Sequence, residues 1–311
     1  MFYCNREHQA AHTSSHKSAC NAFAKRRDIL DAEEQKLRSH PGDMFTPADV
    51  FTNSVGHFWG ILETRDYMRA RFALVEALGK VKTYDAVQAQ LDHVVDMLRL
   101  CRSDNMGVRD LVPPLMLRLN KDQECYDFVK WYSTTGEQGD YDWGNMDLPY
   151  LDVRNADVFE SVEYLCGNYI NLSFTVGITL LKIKLLLGLT ALRDSAVVGK
   201  KVPREILDSI QAYVPQSPII AGNRDIMKRG DHAAAIDELT AQVDMLYKAV
   251  KRANKYFWPS LLEPGEHLAA RPQAYSHGGM EQMQLVLQYS YDSWIETPGA
   301  IEVIKAKEEH S

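Results

Sequence analysis

The sequence predicts an all-α fold, and three observations carry that expectation. Apolar residues recur at helical spacing over most of the chain, the segments they define end at proline and glycine breaks, and the apolar/polar alternation of strands is nearly absent. The chain has 311 residues, 45% of them hydrophobic, which is enough to build a core. Its net charge of −7 argues against nucleic acid as the main partner, because phosphate backbones are gripped by clustered Lys and Arg.

Residues 21 to 40, NAFAKRRDILDAEEQKLRSH, predict a largely polar helix of strong formers that stops at His40, Pro41 and Gly42. Lys25, Arg26 and Arg27 read as a solvated basic face rather than a nuclear address. Gly42 to Asn53 carries turn formers and serves as a connector. From Phe58 to Thr134 four apolar faces follow one another, around Leu74, Leu91, Leu115 and Phe128. Short polar breaks (GKVKTYD, CRSDN, NKDQE) separate them, so consecutive helices are expected to be antiparallel neighbours.

Residues 136 to 163 hold eight acidic residues against Arg154 alone and predict a loop, at least as far as Ala156. Tyr141, Trp143 and Tyr150 are unusual in a spacer, so part of this loop is expected to pack against the helical body or a partner. Further helices are expected near 156 to 194, 203 to 213, 232 to 256 and 279 to 296, with PQSP, WPSLLEPG and ETPGA as breaks. Residues 169 to 192 are apolar enough to span a membrane. Lys182 and Lys184 lie mid-run, where each would cost about 2.5 to 3.5 kcal/mol, so a buried helix is expected and no membrane partner.

Beyond the first 20 residues the cysteines are Cys101, Cys125 and Cys166, an odd set in apolar surroundings. They predict free thiols in a reducing compartment, and with no signal-peptide pattern the expected location is intracellular, in cytoplasm or nucleus. Catalytic constellations are not found: there is no phosphate-binding glycine loop, no GxSxG and no HExxH, and the remaining histidines are scattered. His93, beside Asp92 and Asp96, reads as a structural histidine. No catalytic residue is predicted.

The opening segment carries the chemistry. Its ligand-type residues fall as Cys4-x3-His8-x7-His16-x3-Cys20, so each x3 pair shares one helical face and offers thiolate and imidazole, the donors of structural zinc. Tyr3-Cys4, then a ligand after three residues, then His16-Lys17 ahead of Cys20, resembles the second half of a MYND zinc finger, with Gln9 where that family often has Gln. The resemblance covers about 18 residues. His8 stands where most members have Cys, and Thr13 where many have a Trp of the peptide groove. It implies two cross-braced ions, Cys4 and His8 on one, His16 and Cys20 on the other. The family's two upstream Cys-x2-Cys pairs have no counterpart among Met1, Phe2 and Tyr3, which precede Cys4 in this sequence. A shortened finger, a regrouping of the four residues on one zinc, and a metal-free segment are all open, and His12 belongs to no ligand position.

Residues 83 to 132 resemble degenerate tetratricopeptide repeats: the small residue opening the second helix appears as Ala86 and again as Cys125. The spacing of 39 exceeds the family's period of about 34 residues, and Pro113 and Pro114 fall inside what should be a helix. Residues 229 to 262 open in a similar way. The tail from Phe257 to Ala300 resembles the end of fungal MYND-finger proteins with helical bodies.

The expected organisation is a partial zinc finger over 1–20, a basic helix and connector over 21–57, and a tetratricopeptide-like body of stacked antiparallel hairpins over 58–311. The function implied is a zinc-binding, non-enzymatic scaffold that takes protein or peptide partners on a concave helical face. The alternative is a MYND-associated lysine methyltransferase, whose SET domain needs many short strands and an Asn-His motif. GNYINLSFTVG is the nearest approach and lacks the His.

Overall fold

A computed structural model describes residues 6–137, 139–199, 217–229 and 231–310, with side chains described from residue 21 and not for 196–199. Helix follows helix throughout, and among the described residues there is no strand, only an isolated bridge between His57 and Cys101. The helices are α1 (Arg6–Arg38), α2 (Val50–Asn53), α3 (Thr64–Leu78), α4 (Tyr84–Leu100), α5 (Val112–Arg118), α6 (Asp122–Trp131) and α7 (Leu172–Gly199). Beyond these come α8 (Pro218–Ala221), α9 (Arg224–Lys228), α10 (Ala233–Ala253), α11 (Phe257–Leu262), α12 (Met280–Ile295) and α13 (Ala300–Glu309). The all-α expectation therefore holds. The chain divides into two compact units, one of residues 1–112 and 142–148, the other of 113–141 and 149–311.

In the first unit α1 packs on α3, and α3 on α4. Leu30 and Leu37 of α1 are buried, as are Leu74, Val75 and Leu78 of α3 and Leu91, Val94 and Leu98 of α4. Phe51, Phe58 and Tyr67 form an aromatic cluster with centroids 5.2 to 6.2 Å apart. Thr83 caps α4 by accepting the Ala86 amide, and Gln90 of α4 donates to the Val75 carbonyl of α3 at 3.0 Å. Residues 142–148 return to this unit. Gly56 has φ +91, and a Cβ there would stand 2.0 Å from the Met146 sulfur, so only glycine lets the segment approach.

The second unit is built on α7, whose residues from Leu172 to Leu192 are buried except along one short stripe. It packs against α5, α6, α10, α12 and α13, or lies beside them in close contact: α10 runs along it, and at Gly177 an added Cβ would meet Pro113 of α5 at 2.9 Å. Pro113 and Pro114 occupy the first turn of α5, where amide groups have no intrahelical acceptor and proline costs nothing. Their position resolves the conflict the sequence posed. Asn120 takes the left-handed conformation after α5 (φ 55), and the Lys121 amide closes back on the Met116 carbonyl, a Schellman-type end. Trp258 and Trp294, both fully buried, meet at 5.6 Å, and the Trp258 indole donates to the Tyr247 carbonyl.

Two sequence expectations are corrected. The helix expected from 156 begins at Leu172, because residues 149–171 form a strap over the second unit with no α-helix and only a 3-10 turn at Glu163–Leu165. WPSLLEPG is not a simple break: Phe257–Leu262 forms α11, with Pro259 near its start, where its missing N–H is tolerated. After the ETPGA break the chain continues as α13, entered through Gly299 at φ 85. The helix expected over 203–213 lies outside the described residues.

Candidate functional site

Four places carry polar chemistry, beginning with the N-terminal ligand residues. Cys4 lies outside the described residues. His8, His16 and Cys20 fall in α1, which runs unbroken from Arg6 to Arg38. At about 1.5 Å of rise per residue, positions 16 and 20 stand about 6 Å apart along the axis, while positions 8 and 16 stand about 12 Å apart. A continuous helix thus presents separated pairs of positions. From 21 to 29 no side chain of α1 is buried, and the first to enter the core is Leu30. The helix is anchored in the first unit through Leu30 and Leu37. Among residues with described side chains, no group of three or more His, Cys, Asp or Glu is placed to hold a metal ion.

The second place is the polar interior of the second unit. Lys184 is buried and pairs with the carboxylate of Asp122 at 2.7 Å; Ser217, buried as the cap of α8, donates to the other Asp122 oxygen at 2.6 Å. Asp122 stands in the first turn of α6, where the helix dipole also favours an anion. Lys182 is buried too, and its amine donates to the carbonyls of Val158 and Glu160 in the strap. Burial pushes Lys182 down to about 8, opposed by the charges of Asp157, Glu160 and Glu238. Around it, Tyr126 donates to Glu160, which also pairs with Lys130, and burial drives the Tyr126 and Tyr164 hydroxyls well above their ordinary range.

This cluster has the perturbed ionisable groups of an active site, but its two amines are closed off from solvent and spent on structural acceptors. It holds the strap down. Asp127 accepts the amides of Asn155 (2.8 Å) and Ala156 (2.9 Å), Gln123 donates to the Ala156 carbonyl, Gln242 to the Phe159 carbonyl, and Arg252 to those of Cys166 and Gly167. Tyr141 and Tyr150 pack edge-on against Trp131 at 5.3 and 5.1 Å. These contacts bear out the expectation that aromatic residues of the acidic segment pack against the body. Beside Lys184 a cleft of about 130 Å³ opens, bordered by Arg118, which pairs with Glu296 and Asp292.

The third place is the network around His93 in the first unit. Arg71, buried on α3, donates to His93 Nδ1 at 3.2 Å, to the Tyr67 hydroxyl at 3.0 Å and to Asp96, which also binds Arg99. His93 is therefore an acceptor at Nδ1, and burial together with the Arg71 charge holds it below its ordinary value. It is a structural histidine between two helices. The fourth place is the turn at 43–46. Asp43 accepts the amides of Phe45 and Thr46, both at 2.8 Å, and this turn displays Met44 (90% exposed) and Phe45 (76% exposed) to solvent.

The cysteines of the helical body are free; burial pushes the Cys125 and Cys166 thiols up, away from the reactive thiolate. Sequence reasoning marked Lys182 and Lys184 as out of place but did not find their partners. The signal was present: a buried lysine needs a buried acceptor, and Asp122 opens the neighbouring helix. Among the described residues one helix, Leu172–Ser195, is long and apolar enough to cross a membrane by length and composition, and 89% of that window is buried. In comparisons with known proteins, no family model, no curated sequence and no solved structure matches this chain.

Proposed function

We propose that the chain is a non-enzymatic protein–protein interaction scaffold whose N-terminal Cys/His segment binds zinc. The observation that carries this reading is α1: a 33-residue helix anchored through Leu30 and Leu37, in which none of residues 21 to 29 is fully buried and only Ala22 and Phe23 are half-buried. A polar helix of this kind is marginal on its own in water and gains stability from a partner or a metal. Zinc is the ion whose donors match Cys4, His8, His16 and Cys20. The exposed Met44–Phe45 turn adds an apolar contact point, held in place by Asp43.

The finer reading of the body is that α3–α4 and α5–α6 are degenerate tetratricopeptide-like hairpins. It is supported by Ala86 and Cys125, each buried in the opening turns of the second helix of its pair. The test of the scaffold reading is quantitative capture of binding proteins on the full chain, repeated with Met44→Ser and Phe45→Ser together. The reading predicts a stoichiometric partner retained by the full chain and weakened in the double variant, and no calorimetric binding of S-adenosylmethionine at millimolar concentration. Saturable binding of that methyl donor would replace it with the methyltransferase reading.

A further inference from the structure

The cations along α10 divide by face. Lys251 pairs with Glu308 and Asp244 with Lys307, so the side turned to α13 is neutralised. The side turned to the strap is not. Lys248 and Arg252 stand one turn apart there, both exposed, and Lys255 follows, exposed, in the turn that leaves the helix. Among the described residues none of these three forms an ion pair. Arg252 donates to the carbonyls of Cys166 and Gly167, at 2.6 and 3.0 Å, and Lys255 lies over the Tyr256 ring at 5.1 Å. The helix dipole accounts for Arg252 in the last turn but not for Lys248, a turn earlier. The strap turn that Arg252 holds runs on to Tyr169, which is 98% exposed.

We propose that this face, Lys248, Arg252 and Lys255 with Tyr169 beside them, docks an extended acidic segment of a partner protein. Charge complementarity chooses the occupant: three cations stand without a carboxylate in a chain whose net charge is −7. Spacing chooses its conformation. Lys248 and Arg252 are about 6 Å apart along the helix axis, and alternate side chains of an extended chain, which share one side, are about 7 Å apart. Carboxylates at every second residue therefore meet successive cations. Tyrosine and arginine are also the side chains that dominate interface energies, because they combine apolar area with polar reach. A phosphate backbone or an anionic bilayer is gripped by a wider basic field than three residues in an acidic molecule. The proposal rests on the scaffold reading and gives it a second surface, distinct from the Met44–Phe45 turn.

The test is fluorescence anisotropy with a labelled peptide of alternating glutamate and threonine, a composition that favours extended chain, and its counterpart with glutamine for glutamate. Each is titrated with the full chain, with Lys248→Glu and Lys255→Glu together, and with Tyr169→Ala. All three positions are exposed, so the fold should survive, and circular dichroism checks it. The proposal predicts saturable one-to-one binding of the glutamate peptide and none of the glutamine peptide. It predicts an affinity weakened about tenfold or more by the paired charge reversal, and weakened by Tyr169→Ala. No saturable binding, or equal affinity in the charge-reversed protein, overturns the surface. The scaffold reading, judged by capture through Met44 and Phe45, stands or falls separately. The same protein pair is measured against vesicles containing phosphatidylserine, against a single-stranded oligothymidylate, and for self-association by light scattering. If the charge reversal abolishes one of these interactions and leaves peptide binding unchanged, the face belongs to lipid, nucleic acid or a second copy, and the proposal falls.

Discussion

Lys182 and Lys184 stand two residues apart on the most apolar helix of the chain, and each is held by a different kind of acceptor. Lys184 meets a carboxylate, Lys182 two backbone carbonyls. Removing one member of a buried ion pair leaves the other charge in low dielectric, so Lys184→Met should cost about 3 to 5 kcal/mol in urea unfolding. Replacing both partners, Lys184→Met with Asp122→Leu, should recover most of that loss. A double variant as unstable as the single one would mean that the pair itself, and not the stranded Asp122 charge, dominates. His93 gives a pH signature. Its folded-state value lies below the ordinary 6.5, so its contribution is present above pH 6.5 and is lost as pH falls through the lowered value. Denaturation midpoints between pH 7 and pH 5 should therefore fall more steeply for the native chain than for His93→Gln, whose amide oxygen can still accept from Arg71. Parallel slopes would contradict the assignment. Asp96 is held low by Arg99 and Arg71 against the effect of its burial and titrates below this window.

At the scale of elements, the strap from 149 to 171 is the part of the fold the sequence conceals. Its acidic residues and lack of period describe a loop correctly, but the groups that fix it are single side chains on α6, α7 and α10, far away in sequence. Asp127 is the plainest of these: one carboxylate satisfies two backbone amides. Asp127→Ala should destabilise the chain by about 2 to 3 kcal/mol, and amide exchange in residues 153–163 should accelerate more than in α7. Uniform acceleration through both segments would mean that the strap and α7 open as one. The long amphipathic helices α4, α10 and α12 were legible from periodicity, since nothing competes with their apolar faces. The start of α7 was not, because Val158 and Val162 of the strap continue the apolar pattern upstream while being buried in a non-helical backbone. Short helices such as α8 and α11 depend on a cap or on aromatic packing around Trp258 rather than on period, and were missed.

For the molecule as a whole, hydropathy alone makes α7 a candidate span, while its packing and the two satisfied lysines make it the core helix of a compact unit. The interior accounts for the ionisable groups that would otherwise suggest catalysis. What the body leaves over is the N-terminal part of α1, where His8, His16 and Cys20 fall on one continuous helix. That part of the candidate site was legible because four-residue spacing survives as helix register. The central claim is that this segment binds zinc, and the most direct measurement is metal per chain by mass spectrometry, on the full chain and on Cys20→Ser. The account predicts about one zinc per chain, lost in the substitution. Zinc at background level in both proteins would contradict it.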